Sequence, residues 1–415
     1  MFLGCEDFVS QGVDELFDLI LKASEILKPV IHRTPVFHSA FFSSLAGKSV
    51  YLKLENLQKT GSFKVRGAYF KIYTLPQEVR SRGVVTASSG NHAQGVAYSA
   101  RELNIHSLIV MPETAPTYKI NAVKSYGSEV LLYGQIYDDA FRKALEISEE
   151  RRMSLIHPFN DPYVIAGQGT IGLEIIEDVS NVDTVVVPIG GGGLISGIAL
   201  AVKKLSKGRV KVVGVEPSVA AKTRLSLSVG KPVTVLPQPS LADGVLTKSL
   251  GDLTFEIIRN YVDLVIEVEE DQIARAIYLL LERTKLLAEG AGALPVAALL
   301  SRSDEIPGEN VVAVVSGGNA DLTTLYRILM RGLIREGRVA RITLSLKDVP
   351  GSLEKVLRIL ADLRCNILDI THDRFDLDIK PGYAKVKILM EVSSEQVIKT
   401  AITKLRESGV EVLEQ

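Results

Sequence analysis

Between residues 49 and 318, short apolar runs alternate with segments of helical period. SVYLKLE (49–55), GVVTAS (83–88), SLIVMP (107–112) and EVLLYG (129–134) read as strands, as do TVVVPIG (184–190), VKVVGVE (210–216), DLVIEV (263–268) and NVVAVVSGG (310–318). Several are unbroken β-branched runs, the pattern of strands covered on both faces of a parallel sheet. Amphipathic helices are expected between and after them, at 91–103, 137–151, 270–285 and 321–335. This rhythm requires α/β layers.

The rhythm breaks at RGLIREGRVA, where charges and two glycines mark the end of a helix and a linker at 331–338. A different order follows: strand 340–346, helix 353–363, strand 365–375, strand 383–392, helix 394–408 and a last strand 410–413. That βαββαβ order is the ferredoxin-like unit. A chain of 415 residues exceeds one ordinary core, so two or three domains are expected. With 48 basic against 49 acidic residues, no electrostatic case exists for a nucleic-acid or membrane partner. Cys5 and Cys365 form no paired motif and the six histidines no zinc pattern, so a reducing compartment and no metal are expected. Glu6 and Asp7 stand where a signal core would be apolar, and no long uncharged apolar run occurs. The expected location is the cytoplasm.

Four stretches have the composition of a site. KTGSFKVRGA (59–68) sets Lys64 among Phe63, Val65, Gly67 and Ala68, with Thr60–Ser62 as a turn able to cap the next helix. A solvated helix-start lysine is the ordinary reading; a buried one has a depressed pKa and becomes a nucleophilic amine. TASSGNHAQGVA (86–97) crowds Ser88, Ser89, Gly90, Asn91 and His92 at a strand end before a helix. It reads either as a capped turn or as an anion dock at a helix N-terminus. PIGGGGLISG (188–197) places Gly190, Gly191, Gly192 and Gly193 before Leu194 and a helix. No GK[ST] ends this run, so it is not a Walker loop, yet its N–H groups can converge on one phosphate. VVSGGNAD (314–321) ends a strand at Ser316, a helix cap or a ligand. One amine, a phosphate cup, a carboxylate dock and a strand-end hydroxyl together suit pyridoxal 5'-phosphate and an amino acid.

GSFKVRGA, SSGNHAQG, GGGGL and SGGN resemble, in that order, the signatures of the tryptophan-synthase-β-like (fold type II) pyridoxal-phosphate enzymes, within them the threonine/serine dehydratase branch, with serine racemase a near relative. The resemblance spans about residues 15–330, and the unit with DVPGSL at its first turn resembles an ACT regulatory domain. It implies a large catalytic domain from 1–55 and 156–330, a small one at 56–155 and an ACT-like domain at 339–415. It also implies roles: Lys64 bonds the cofactor covalently and serves as general base, Phe63 packs on its ring, and Asn91 meets the ring hydroxyl. Gly190 to Gly193 and Leu194 take the phosphate, Ser316 faces the ring nitrogen, and Ser88, Asn91 and His92 hold the substrate carboxylate. The implied reaction converts L-threonine to 2-oxobutanoate and ammonia, and L-serine to pyruvate. A small amino-acid effector, isoleucine or valine, is implied at the ACT unit, with the Asp348–Ser352 turn as pocket edge, in a homodimer or homotetramer.

Two positions depart from the dehydratase pattern. Ser89 stands where many dehydratases have alanine, and a hydroxyl there resembles serine racemase, giving Ser89 a catalytic proton-donor role. In GVEPSVAAK (214–222), Lys222 occupies the place of an acidic residue in the family's cation loop. Its ammonium either replaces a metal's charge or forms a surface ion pair with Glu216. A serine racemase and a cofactor-free amino-acid sensor are the competing functions.

Overall fold

The computed structural model describes residues 11–414; Cys5, Glu6 and Asp7 lie outside them. The chain packs as two compact units, one ending at Asp321 and one beginning at Leu322. The strands of the first unit are β1 (Val36–His38), β2 (Ser49–Leu54), β3 (Val84–Ala87), β4 (Ser107–Met111) and β5 (Glu129–Leu132), then β6 (Ser154–Leu155), β7 (Thr184–Pro188), β8 (Lys211–Pro217), β9 (Leu264–Val268) and β10 (Asn310–Val315). All eight expected strands are present. β1 and β6, of three and two residues, are too short to show a period, and β1 is largely exposed.

Two sheets result. One has the order β1-β2-β10-β7-β8-β9 and is parallel except for β1; the other, β5-β4-β3-β6, is parallel throughout. The β-branched runs do what their composition requires. Every residue of β3, β4 and β7 is buried, because helices cover both faces. Topology then assembles the site. β10 lies between β2 and β7, pairing Val315 with Leu54 and Val311 with Thr184. The turns after β2, β7 and β10 therefore leave one edge of the sheet together, the edge at which α/β sheets hold ligands.

Helix packing fixes those turns. Helix Pro162–Asp178 starts with Asp161 accepting the N–H groups of Tyr163 at 2.9 Å and Val164 at 3.1 Å. It crosses helix Gly193–Leu205 at glycine contacts: a Cβ on Gly197 would lie 2.3 Å from the Ile165 carbonyl oxygen. Gly95 does the same for helix Asn91–Glu102, since its Cβ would come within 3.0 Å of the Lys64 backbone. Among the described residues no helix is long and apolar enough to cross a membrane.

The second unit begins with helix Leu322–Arg335, so residues 331–335 are helical and 336–338 make the turn that follows. Strands β11 (Val339–Lys347), β12 (Asn366–Asp373), β13 (Tyr383–Glu391) and β14 (Glu411–Glu414) form an antiparallel sheet in the order β12-β13-β11-β14. Helices Ser352–Asp362 and Glu395–Glu407 join this core through Val356, Leu360, Ile398 and Leu405, packed with Ile342, Leu344, Val386 and Ile388. The βαββαβ order is as the periodicity predicts.

Candidate active site

The turn before Lys64 is drawn to the end of β10 by backbone pairing. Phe63 N donates to Ser316 O at 3.1 Å, Gly318 N donates to Gly61 O at 2.9 Å, and Ser62 bridges Gly317. Among the described residues the expected cap is absent: Phe63 precedes the helix without a side-chain cap bond, and the buried Thr60 and Ser62 hydroxyls have no partner there. Position comes instead from a buried ionic cluster two residues on. Arg66 donates to Glu55 at 2.7 and 2.8 Å and to Glu174 at 2.6 and 2.9 Å, and Lys53 reaches Glu174 at 2.5 Å. Helix Lys64–Thr74 is thereby pinned to β2 and to helix Pro162–Asp178.

A cavity of about 790 Å³ opens beside Lys64. Phe63, Lys64, Ser88, Ser89, Asn91, His92, the run from Gly190 to Leu194 and Ser316 all line it. The Lys64 Nζ donates to Pro158 O at 2.9 Å and sits 5.2 Å from the Phe63 ring centre. Lys64 is half-buried and lines the cavity; desolvation lowers its pKa to about 8, against a smaller opposing pull from Glu289. At neutral pH a fraction of roughly a tenth is unprotonated.

The glycine run needs its glycines. A Cβ on Gly191 would lie 2.3 Å from the Phe159 ring, one on Gly193 would lie 2.9 Å from Phe159 Cα, and Gly192 has φ +96°. Thr254 Oγ1 donates to Gly191 O at 2.7 Å. The run enters helix Gly193–Leu205, whose first N–H groups have no acceptor within the helix. The arrangement suits a multiply charged oxyanion.

Asn91 is held from both sides. It donates Nδ2 to Glu289 Oε1 at 2.6 Å and accepts at Oδ1 from Asn319 Nδ2 at 2.7 Å. Glu289 is buried, and desolvation, followed by Asp243, raises its pKa to about 7. Ser88 Oγ accepts from Gly90 N at 3.2 Å, and no side chain caps the helix after it. Ser316 is buried at the end of β10; the next helix starts only at Leu322, so Ser316 caps nothing. His92 Nε2 faces the carbonyl oxygen of Ile156 at 3.0 Å and must carry a proton there. Burial lowers the pKa of His92 to about 3 and of His157 to about 4, so both rings are neutral. Any carboxylate hold by His92 is therefore dipolar.

Sequence reasoning missed Glu289, Asn319, His157, and the Lys119–Asp243 ion pair (3.3 Å) that also lines the cavity. A signal existed for one of them: Glu289 is the sole charged residue between Lys285 and Arg302. The set present fits pyridoxal phosphate. It offers an amine of lowered pKa, a glycine cup that side chains would fill, an amide beside an acid, and a buried hydroxyl. The described residues contain no group of three or more His, Cys, Asp or Glu able to hold a metal.

Comparison with known proteins agrees with the cofactor that this set fits. The family described as "Pyridoxal-phosphate dependent enzyme" matches residues 27–317, and the ACT domain matches 340–409. An L-threonine ammonia-lyase of Thermotoga maritima is 47% identical over 393 residues, 95% of this chain and 98% of that protein. The processed form of threonine deaminase isoform 2 from Solanum lycopersicum superposes with a TM-score of 0.72 at 39% identity, covering 76% of this chain and 93% of the other. Maize serine racemase gives a TM-score of 0.72 at 38% identity over 77% of this chain and 98% of its own.

Proposed function

Since the chain belongs to the pyridoxal-phosphate-dependent enzyme family and ends in an ACT domain, we propose that it is a threonine ammonia-lyase, which converts L-threonine to 2-oxobutanoate and ammonia and L-serine to pyruvate and ammonia. The observation that carries this reading is the cavity itself: Lys64, with its pKa near 8, shares it with the glycine cup, Asn91 and Ser316. The relatives named above supply the substrate class. When bound, the cofactor withdraws electrons from the substrate's α-carbon, making its proton acidic.

The residues do the rest. Lys64 would hold the cofactor, and its amine, when free, would accept the substrate's α-proton. The N–H groups from Gly190 to Leu194 hold the phosphate. Phe63 would pack on the cofactor's ring, and Asn91, kept in one orientation by Glu289 and Asn319, would hold its hydroxyl. Ser316 would offer the ring nitrogen a hydroxyl rather than a carboxylate, a partner that would favour elimination over transamination-type protonation. Ser88, Asn91 and the neutral His92, at the start of helix Asn91–Glu102, take the substrate carboxylate. The β-hydroxyl departs as water with the proton that Lys64 took from the α-carbon, and a second water then displaces the nitrogen as ammonia, so no oxidant or reductant is needed.

Within the first unit, residues 56–155 act as a small lobe that shields the cavity from bulk water until elimination is complete. The turn at 336–338, after helix Leu322–Arg335, leads into a regulatory domain at 339–415, where isoleucine or valine binds, in a homodimer or homotetramer. A product assay with threonine and with serine, with and without isoleucine, tests reaction, preference and regulation together. Absence of 2-oxobutanoate from a yellow, folded protein would refute the reading.

A second reading is a serine racemase side activity, favoured by the Ser89 hydroxyl in the cavity and the likeness to maize serine racemase. Chiral analysis of serine recovered from the reaction decides it; recovery of L-serine alone removes it.

A further inference from the structure

The fold buries a second lysine outside the reacting centre. Lys222 opens helix Lys222–Val229 and Glu216 lies in β8, and both are fully buried, which rules out a surface ion pair. The Lys222 ammonium lies 3.8 Å from Glu216 Oε2 and donates at 3.4 Å to the carbonyl oxygens of Ala220 and Val245. Glu216 in turn accepts the Thr223 N–H on both oxygens at 3.0 Å and the Arg224 N–H at 3.1 Å. One carboxylate and two carbonyls around a positive charge are the oxygen donors of a hard-cation site. Here the chain supplies the cation itself.

Val245 connects this cage to the cavity. It belongs to the segment Asp243–Gly251, all of which lines the cavity. A Cβ on Gly190 would lie 3.3 Å from Val245 Cα, so the segment backs directly onto the first glycine of the cup. At its far end Gly251 N approaches Gly191 O at 3.5 Å. The peptide gripped by Lys222 thus supports the glycine run from behind. Desolvation pushes the Lys222 pKa down and that of Glu216 up, and the partner's charge opposes each shift.

We infer that Lys222 is a positioning residue: its ammonium is a built-in monovalent cation that holds the Val245 carbonyl, and through it the glycine cup, and its removal leaves an oxygen cage that recruits a small cation from solution. The inference rests on reading that cup as the cofactor's phosphate site.

The test uses full-length Lys222→Ala and wild type in a buffer whose only cation is tetramethylammonium, with potassium or ammonium chloride added at constant ionic strength. Pyridoxal phosphate affinity is titrated by absorbance, and the thermal midpoint of the cofactor-free protein is followed in parallel. Without small cations Lys222→Ala should bind the cofactor about tenfold more weakly than wild type. Potassium or ammonium should restore its affinity and raise its midpoint; wild type should ignore both. The double variant Glu216→Gln/Lys222→Met, whose neutral pair folds without a buried charge, should bind weakly and ignore potassium. Wild-type affinity in Lys222→Ala without small cations, a loss that neither cation reverses, or wild-type affinity in the double variant would each overturn the proposal. If wild type bound no pyridoxal phosphate, the reading of the cup would fail, while the thermal midpoints would still report on the cage.

Discussion

Glu289 should destabilise the cofactor-free protein in a way that follows pH. Its carboxyl is buried, and its pKa rises from 4.5 to about 7, first through desolvation and then through the nearby charge of Asp243. Below 4.5 the group is protonated in both folded and unfolded chains and contributes nothing. Between 4.5 and about 7 the unfolded chain ionises while the folded one keeps its proton, so stability falls as pH rises. Above 7 the penalty is complete. At about 1.4 kcal/mol per pH unit the shift amounts to about 3 kcal/mol. Glu289→Gln keeps the oxygen that accepts from Asn91 Nδ2 and removes the charge. Urea unfolding of both cofactor-free proteins across this range should show a variant advantage near zero at pH 4.5, growing to about 3 kcal/mol by pH 8. A constant offset, or an advantage that shrinks as pH rises, would refute the assignment of a buried carboxyl with a raised pKa. The same variant loses the proton-holding group beside Asn91, so lower activity alongside higher stability is the expected trade.

Other substitutions probe the rest of the site. Lys64→Met should stabilise the cofactor-free protein below pH 8, because the folded state holds this amine at a pKa lowered from 10.5 to about 8; the advantage should fade as pH rises through that interval, while cofactor absorbance and activity disappear. Gly191→Ala places a methyl 2.3 Å from the Phe159 ring, and pyridoxal phosphate titration should show at least about a tenfold loss of affinity. Arg66→Met leaves Glu55 and Glu174 without their main partner in a buried setting and should cost about 3–5 kcal/mol in urea unfolding. Ser316→Asp should change the product ratio, lowering elimination relative to transamination-type products measured on threonine.

The core of this fold is written in local pattern. β-branched runs such as TVVVP need no distant information to be read as buried strands, and the amphipathic helices declare their faces in the same way. Helix Gly290–Ser301 is buried on nearly every side and has no polar face to give it a period, and it went unread together with the acid at its start. Strands β1 and β6 are too short to carry a pattern. The four site stretches were legible as unusual compositions, but three of them meet because β10 inserts between β2 and β7 and the fourth comes from the end of β3 in the other sheet, and linear spacing encodes neither.

The charges misread or passed over share one physical property. Lys53, Arg66, Glu216 and Lys222 are all fully buried, and each pays for burial through partners far away in sequence or through backbone groups. A local rule assigns every such residue to solvent because it sees only the desolvation cost. Yet a charge set in an apolar stretch, as Lys53 is in SVYLKL and Glu289 in LAEGAGA, must have a partner somewhere if the stretch is buried. Lys64 obeys the same logic with a different outcome. Its ammonium has no close carboxylate contact, only the Pro158 carbonyl at 2.9 Å, so it meets the burial cost by a lowered pKa. Lys53 and Lys222 each have a carboxylate beside them, although burial lowers the Lys222 pKa as well; Lys64 differs in lining the cavity, which is why we propose it as the amine that reacts.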